Sequence, residues 1–166
     1  MASPLSADPK PELQLAATAL VLLVGVSGSG KSTFAARWFA PTQVLSSDAM
    51  RAMVADDPND QSATDAAFEL LHSTASLRLA RGRLLALARR FGRPSSAIVL
   101  DLPVEVALER NAARADRRLP PAALRRQQRW LRESIASLPQ EGFAPVWVLT
   151  SADEVDAVRV VITPPA

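Results

Sequence analysis

Lysine is nearly missing from this chain. Its 19 basic residues include only two lysines, Lys10 and Lys31, and 17 arginines. Cysteine is absent altogether, which excludes disulfide frameworks and thiolate zinc sites and agrees with a reducing, cytoplasmic setting. No apolar run is long enough to cross a bilayer. The candidate at residues 19–26 falls far short of the roughly 20 residues a spanning helix needs. It also lacks the flanks of a secretory signal, since Asp8 and Glu12 precede it and a glycine-rich turn follows. No membrane partner is expected. A strong overall charge is lacking too: the net charge is +2, so the molecule as a whole is not a basic nucleic-acid magnet.

What remains is an ordinary globular composition, 48% apolar and 22% charged over 166 residues, enough chain for one domain with a real core. Residues 1–11 are rich in proline and small polar residues and predict a flexible tail ahead of a single domain at 12–166. Residues 19–24 predict a buried strand, 32–39 a helix ended by Pro41, and 43–46 a short strand. Ser47 and Asp48 are placed to cap a helix running to about residue 54. Helical patterns follow at 62–81 and 83–91, then a buried strand at 97–100. A helix at 104–114 opens behind Pro103, another spans 122–138, a last strand lies in "APVWVLTS", and a short helix or strand ends the chain. This alternation predicts an α/β fold, a parallel sheet flanked by helices. Between residues 47 and 97, however, no strand is visible.

The first strand runs into Gly25-Val-Ser-Gly-Ser-Gly-Lys-Ser32, a full G-x-x-x-x-G-K-S match in the strand–turn–helix context it requires. Glycines let backbone N–H groups point inward as an anion nest, and the helix N-terminus adds partial positive charge. The candidate nucleotide-binding residues are Gly25, Ser27, Gly28, Ser29, Gly30, Lys31, Ser32 and Thr33. Lys31 is placed to reach the β- and γ-phosphates of a nucleoside triphosphate such as ATP, and Ser32 to ligate Mg²⁺.

In an open parallel sheet, ligands gather beyond the carboxyl ends of the strands. Asp48 follows the second predicted strand, so it is placed either to accept a proton from an attacking hydroxyl or to cap its helix. Arg51, one turn on, is placed to hold a second anionic group. Arg110, Arg114 and Arg117 share a face at i, i+4, i+7 spacing and suit a helical lid that neutralises migrating charge. Arg125, Arg129 and Arg132 repeat that spacing and read as a solvated face. Trp130 reads as the edge of a core, with base stacking as the alternative, and His72 as a structural histidine. Asp101 is placed to orient a metal-bound water or to cap the next helix.

Taken in order, "GSGKSTFA", "VLSSDAMR", "DDPNDQ", "AAFELLH", "ERNAARADR" and "EGF" make the chain resemble the kinase module of bacterial polynucleotide kinase–phosphatase RNA-repair enzymes, from about residue 12 to 161. The resemblance implies a P-loop NTPase-type sheet with an arginine-bearing lid, transferring the γ-phosphate of ATP or another nucleoside triphosphate to the 5′-hydroxyl end of RNA or DNA. It implies that Lys31 and Ser32 hold phosphates and Mg²⁺, that Asp48 is the general base, and that Arg51 contacts the acceptor strand's phosphate. Arg110 and Arg117 would grip the donor phosphates, Lys31, Asp48 and Arg117 being catalytic.

One departure stands out. The family's long helix leads into a strand ending in an Asp-Ala-Thr-Asn turn, whereas here Arg83 runs straight into "LLALARRFG". The sheet is therefore expected to be one strand short, with "RLLALA" conscripted as a strand or with 62–91 as one long helix. No phosphatase or ligase module follows, so the kinase step alone is expected. A kinase of a small-molecule hydroxyl and a catalytically degenerate nucleotide-binding module are the competing readings.

Overall fold

The structure is a computed structural model that describes residues 11–56, 62, 85–86, 88–113 and 118–164. Two parallel sheets carry it. Strand β1 (Glu12–Ala16) pairs with β5 (Arg159–Thr163), and a three-stranded sheet has the order β2 (Leu20–Gly25), β3 (Ser95–Leu100), β4 (Val146–Leu149). Leu20 stands opposite Ser95 and Gly25 opposite Leu100, while Ala97 stands opposite Val146. All three strand ends thus finish at one edge, where the glycine-rich turn begins. The α/β architecture, parallel strands flanked by helices, is that of a P-loop NTPase-like fold.

Strand β3 reads "SSAIVL", and Ala97 to Leu100 have no exposed surface. An unbroken apolar run is what a parallel strand covered on both faces requires. One face packs with Val26, Ala107, Leu131, Leu138 and Phe143, the other with Leu13, Leu15, Phe34 and Val158. Each fully buried Val, Leu, Ile or Phe side chain here contributes about 1.5–3 kcal/mol. Strand β2 is only half-buried along its length. Among the described residues it is the edge of its sheet, with β3 on one side; the segment 63–84, where the expected missing strand would fall, lies outside the described residues.

Helix α1 (Lys31–Trp38) follows the turn, and α2 (Ser47–Ala55) follows a 3₁₀ turn at Pro41–Gln43. The strand expected at 43–46 does not form. The Gln43 N–H returns to the Ala40 carbonyl and the Val44 N–H to the Pro41 carbonyl, while the Ser46 carbonyl accepts from the Met50 N–H, so local turns take backbone groups a ladder would need. Helix α3 (Val104–Ala112) and α4 (Pro121–Ile135) both begin behind prolines, then come α5 (Leu138–Glu141) and α6 (Ala152–Ala157). Residues 85–86 and 88–90 are helical, so "RLLALA" is not conscripted as a strand there. Ser62 stands in a turn; the rest of the expected helix at 62–81, His72 and the junction at Arg83 fall outside the described residues, as does the tail up to residue 10. Strand β1 escaped the sequence reading although Leu13 and Leu15, both buried, alternate with Glu12 and Gln14 in the half-buried strand pattern. No described helix is long and apolar enough to cross a membrane.

Candidate nucleotide-binding site

The turn between β2 and α1 winds through two left-handed glycines, Gly28 at φ 84° and Gly30 at φ 97°. A side chain is disfavoured at such angles. Gly28 has a second reason to be glycine, because a Cβ there would stand 3.0 Å from the Ala107 carbonyl oxygen of α3. Lys31 Nζ donates to the carbonyls of Gly25 at 2.7 Å and Val26 at 2.9 Å. Its charge therefore lies across the mouth of the turn.

A cleft of about 430 Å³ opens on this turn. Ser27, Gly28, Ser29, Gly30, Lys31, Ser32 and Thr33 line its floor, Asp48 and Arg110 stand on its walls, and Arg37, Val155 and Asp156 complete it. Gly30 caps α1 without any side-chain hydrogen bond, and no acidic residue sits in the first turn. The leading amides at Gly30, Ser32 and Thr33 have no intrahelical acceptor by geometry, so this helix end suits an anion. Two amides of the turn are committed elsewhere. The Ser29 N–H donates to the Val26 carbonyl at 3.1 Å, and the Ser27 N–H donates to Gln127 Oε1 at 3.0 Å.

Asp48 is not the cap of α2. Ser46 holds that place, and Asp48 sits in the first turn with its carboxylate paired to Arg51. Arg51 is only 5% exposed and stands behind Asp48. It does not line the cleft, and neither does Gly25, whose carbonyl receives Lys31. Arg110 lines the cleft and donates to the Gly28 carbonyl at 3.4 Å. Its expected partners Arg114 and Arg117 lie outside the described residues.

Asp101 does not cap α3, whose N-cap is Pro103. Its carboxylate accepts from Gln128 Nε2 and from Arg132 Nε at 3.2 and 3.3 Å, which ties the end of β3 to α4. Arg132 stays exposed, at 60% of its side chain, as its spacing predicts, and reaches back to Asp101 from that face. Trp130 is no core edge either, being 56% exposed, with Arg126 stacked 5.4 Å from its ring centroid. Sequence reasoning missed Gln127 and also Asn111, whose buried amide spans the Leu119 N–H at 2.8 Å and carbonyl at 2.9 Å. Asn111 staples the end of α3 to the approach to α4. Nothing in the local sequence marks either residue, since the partners are 100 and 8 positions away.

A family model described as an AAA domain matches residues 20–84. The match begins at the first residue of β2 and takes in the glycine-rich turn, α1 and α2. No curated protein matches the chain. Fold, turn and match together support a P-loop NTPase-like domain with a nucleotide-binding turn.

Proposed function

We propose that this domain transfers the γ-phosphate of ATP, or of another nucleoside triphosphate, to the 5′-hydroxyl of an RNA or DNA end. The observation that carries this reading is the position of Asp48. A carboxylate delivered by α2 shares one cleft with Lys31, Ser32 and Arg110, and capping, the competing explanation for it, is taken by Ser46. The acceptor oxygen attacks the γ-phosphorus, Asp48 takes the hydroxyl proton, the bond to the β,γ-bridging oxygen breaks, and the nucleoside diphosphate leaves.

Lys31 and the leading amides of α1 hold the phosphates, while Arg110, with Arg117 as its proposed lid partner, offsets charge on the donor. Ser32 is the protein ligand proposed for Mg²⁺. A lone hydroxyl in a cleft that gathers phosphates fits an ion that keeps waters and phosphate oxygens as its other ligands. The described residues hold no acidic or histidine cluster of the kind an all-protein cage would need. When bound, Mg²⁺ supplies charge neutralisation at the phosphate oxygens. Arg51 pairs with Asp48 and orients it, and is the proposed contact to the acceptor's phosphate.

Asp48→Asn tests this assignment. It keeps the shape and loses the base, so transfer should fall at least a hundredfold while ATP affinity stays within about threefold. Near-normal transfer would remove Asp48 from the mechanism.

A further inference from the structure

Helix α4 buries Leu124, Gln128 and Leu131 and turns Arg125, Arg126, Arg129 and Trp130 outward. Trp130 is among the few large apolar side chains left exposed, at 56%. The Arg126 guanidinium stacked on its ring leaves a flat cationic platform one helical turn long. Arg132 on the same helix is occupied by Asp101, whereas the described residues show no ion pair for Arg125, Arg126 or Arg129. Glu133 is the acidic side chain that α4 itself exposes beside them.

This platform adjoins the P-loop. A shallow depression of about 310 Å³ runs between Trp130, Gln127 and Leu131 of α4 and the backbone of Gly25 and Val26. Gln127, three residues before Trp130, touches the Ser27 amide at 3.0 Å. Residues three apart on a helix have Cβ atoms about 5–6 Å from each other, so Trp130 stands one turn beyond a residue that touches the floor of the cleft.

We infer that the Arg125–Arg126–Arg129–Trp130 face of α4 docks single-stranded nucleic acid, the strand that leads away from the acceptor end. The inference rests on the reading of the cleft as a 5′-hydroxyl kinase. It also selects between acceptor classes, because a small-molecule substrate would have no use for a surface outside the cleft. The chemistry favours a nucleic-acid strand over other anions: arginines pair with phosphates, and an exposed indole offers a stacking face that an acidic peptide or a lipid headgroup leaves unused.

The test uses the full chain and a 20-nucleotide oligothymidylate, followed by quenching of tryptophan emission. Quenching should be present in the wild type and absent in Trp130→Phe if the ring stacks on a base. Trp130→Ala should weaken binding about tenfold. The triple change of Arg125, Arg126 and Arg129 to alanine should lower the slope of log affinity against log salt by about two. Unchanged affinity and slope in these variants would overturn the inference, as would equal binding of polyglutamate or anionic phospholipid vesicles.

Phosphate transfer to a dinucleotide and to the 20-mer separates the two claims. Transfer whose KM does not depend on acceptor length would sink the dock and leave the kinase standing. Quenching at Trp130 without transfer to either acceptor would sink the kinase and leave the dock.

Discussion

The ammonium of Lys31 lies 2.7 Å from the carbonyl of Gly25, six residues back on the other side of the glycine-rich turn. With a second bond to Val26 at 2.9 Å, it closes the turn on itself. In a chain whose basic residues are otherwise almost all arginine, a compact point charge is kept where a planar fork would not fit between two carbonyls. Lys31→Ala should therefore abolish turnover and weaken ATP binding at least tenfold, and Lys31→Arg should rescue neither. Equilibrium nucleotide binding and transfer assays on both variants check this.

Gly28 makes the same turn possible by a different route. Gly28→Ala places a side chain at φ 84° and 3.0 Å from the Ala107 carbonyl. The backbone conformation alone costs about 1–2 kcal/mol, and the contact adds to it, so urea unfolding should show a loss of about 2 kcal/mol or more together with weaker nucleotide binding. Gly92→Ala is the control: it shares a positive φ of 60° but meets nothing within 4 Å, and should cost less.

Gln127→Ala releases the Ser27 amide from its side-chain acceptor. A single hydrogen bond of this kind is worth about 1 kcal/mol, so ATP affinity should fall about fivefold through a looser turn, with little change in the turnover number at saturating ATP. Isothermal titration of ATP into the two proteins gives the comparison.

Glu154 should make stability acid-sensitive. Its carboxylate accepts from the Thr150 N–H and hydroxyl. The backbone bond to Thr150, then the side-chain bond to Thr150, hold its pKa below the ordinary glutamate value. A group depressed in the folded state contributes stability that is present above its unfolded pKa and disappears as pH falls through the folded one. Thermal melts should therefore show Glu154→Gln lowering stability near neutrality, with the gap to wild type closing below about pH 4.

Local chemistry made the P-loop and its flanking strand and helix legible in the sequence, because phosphate binding demands glycines, a lysine and a serine at fixed spacing. Buried strands such as β3 were equally plain, since the apolar run is unbroken. The segment at 43–46 misled because Val44 and Leu45 satisfy strand propensity, while capping by Ser46 and the 3₁₀ turn at Pro41 decide the backbone. What no local pattern reveals are contacts across the chain: Gln127 reaching Ser27, and Arg132 claimed by Asp101. Trp130 had the helical spacing of a core residue, and only the packing of α4 through Leu124, Gln128 and Leu131 shows that its ring is left outside.

The most direct measurement is transfer of labelled γ-phosphate from ATP to a 5′-hydroxyl oligonucleotide with Mg²⁺, with Lys31→Ala as the blank and the 5′-phosphorylated strand as the decoy. The account predicts label on the 5′-hydroxyl strand alone. A folded protein that binds ATP yet labels neither strand would contradict it.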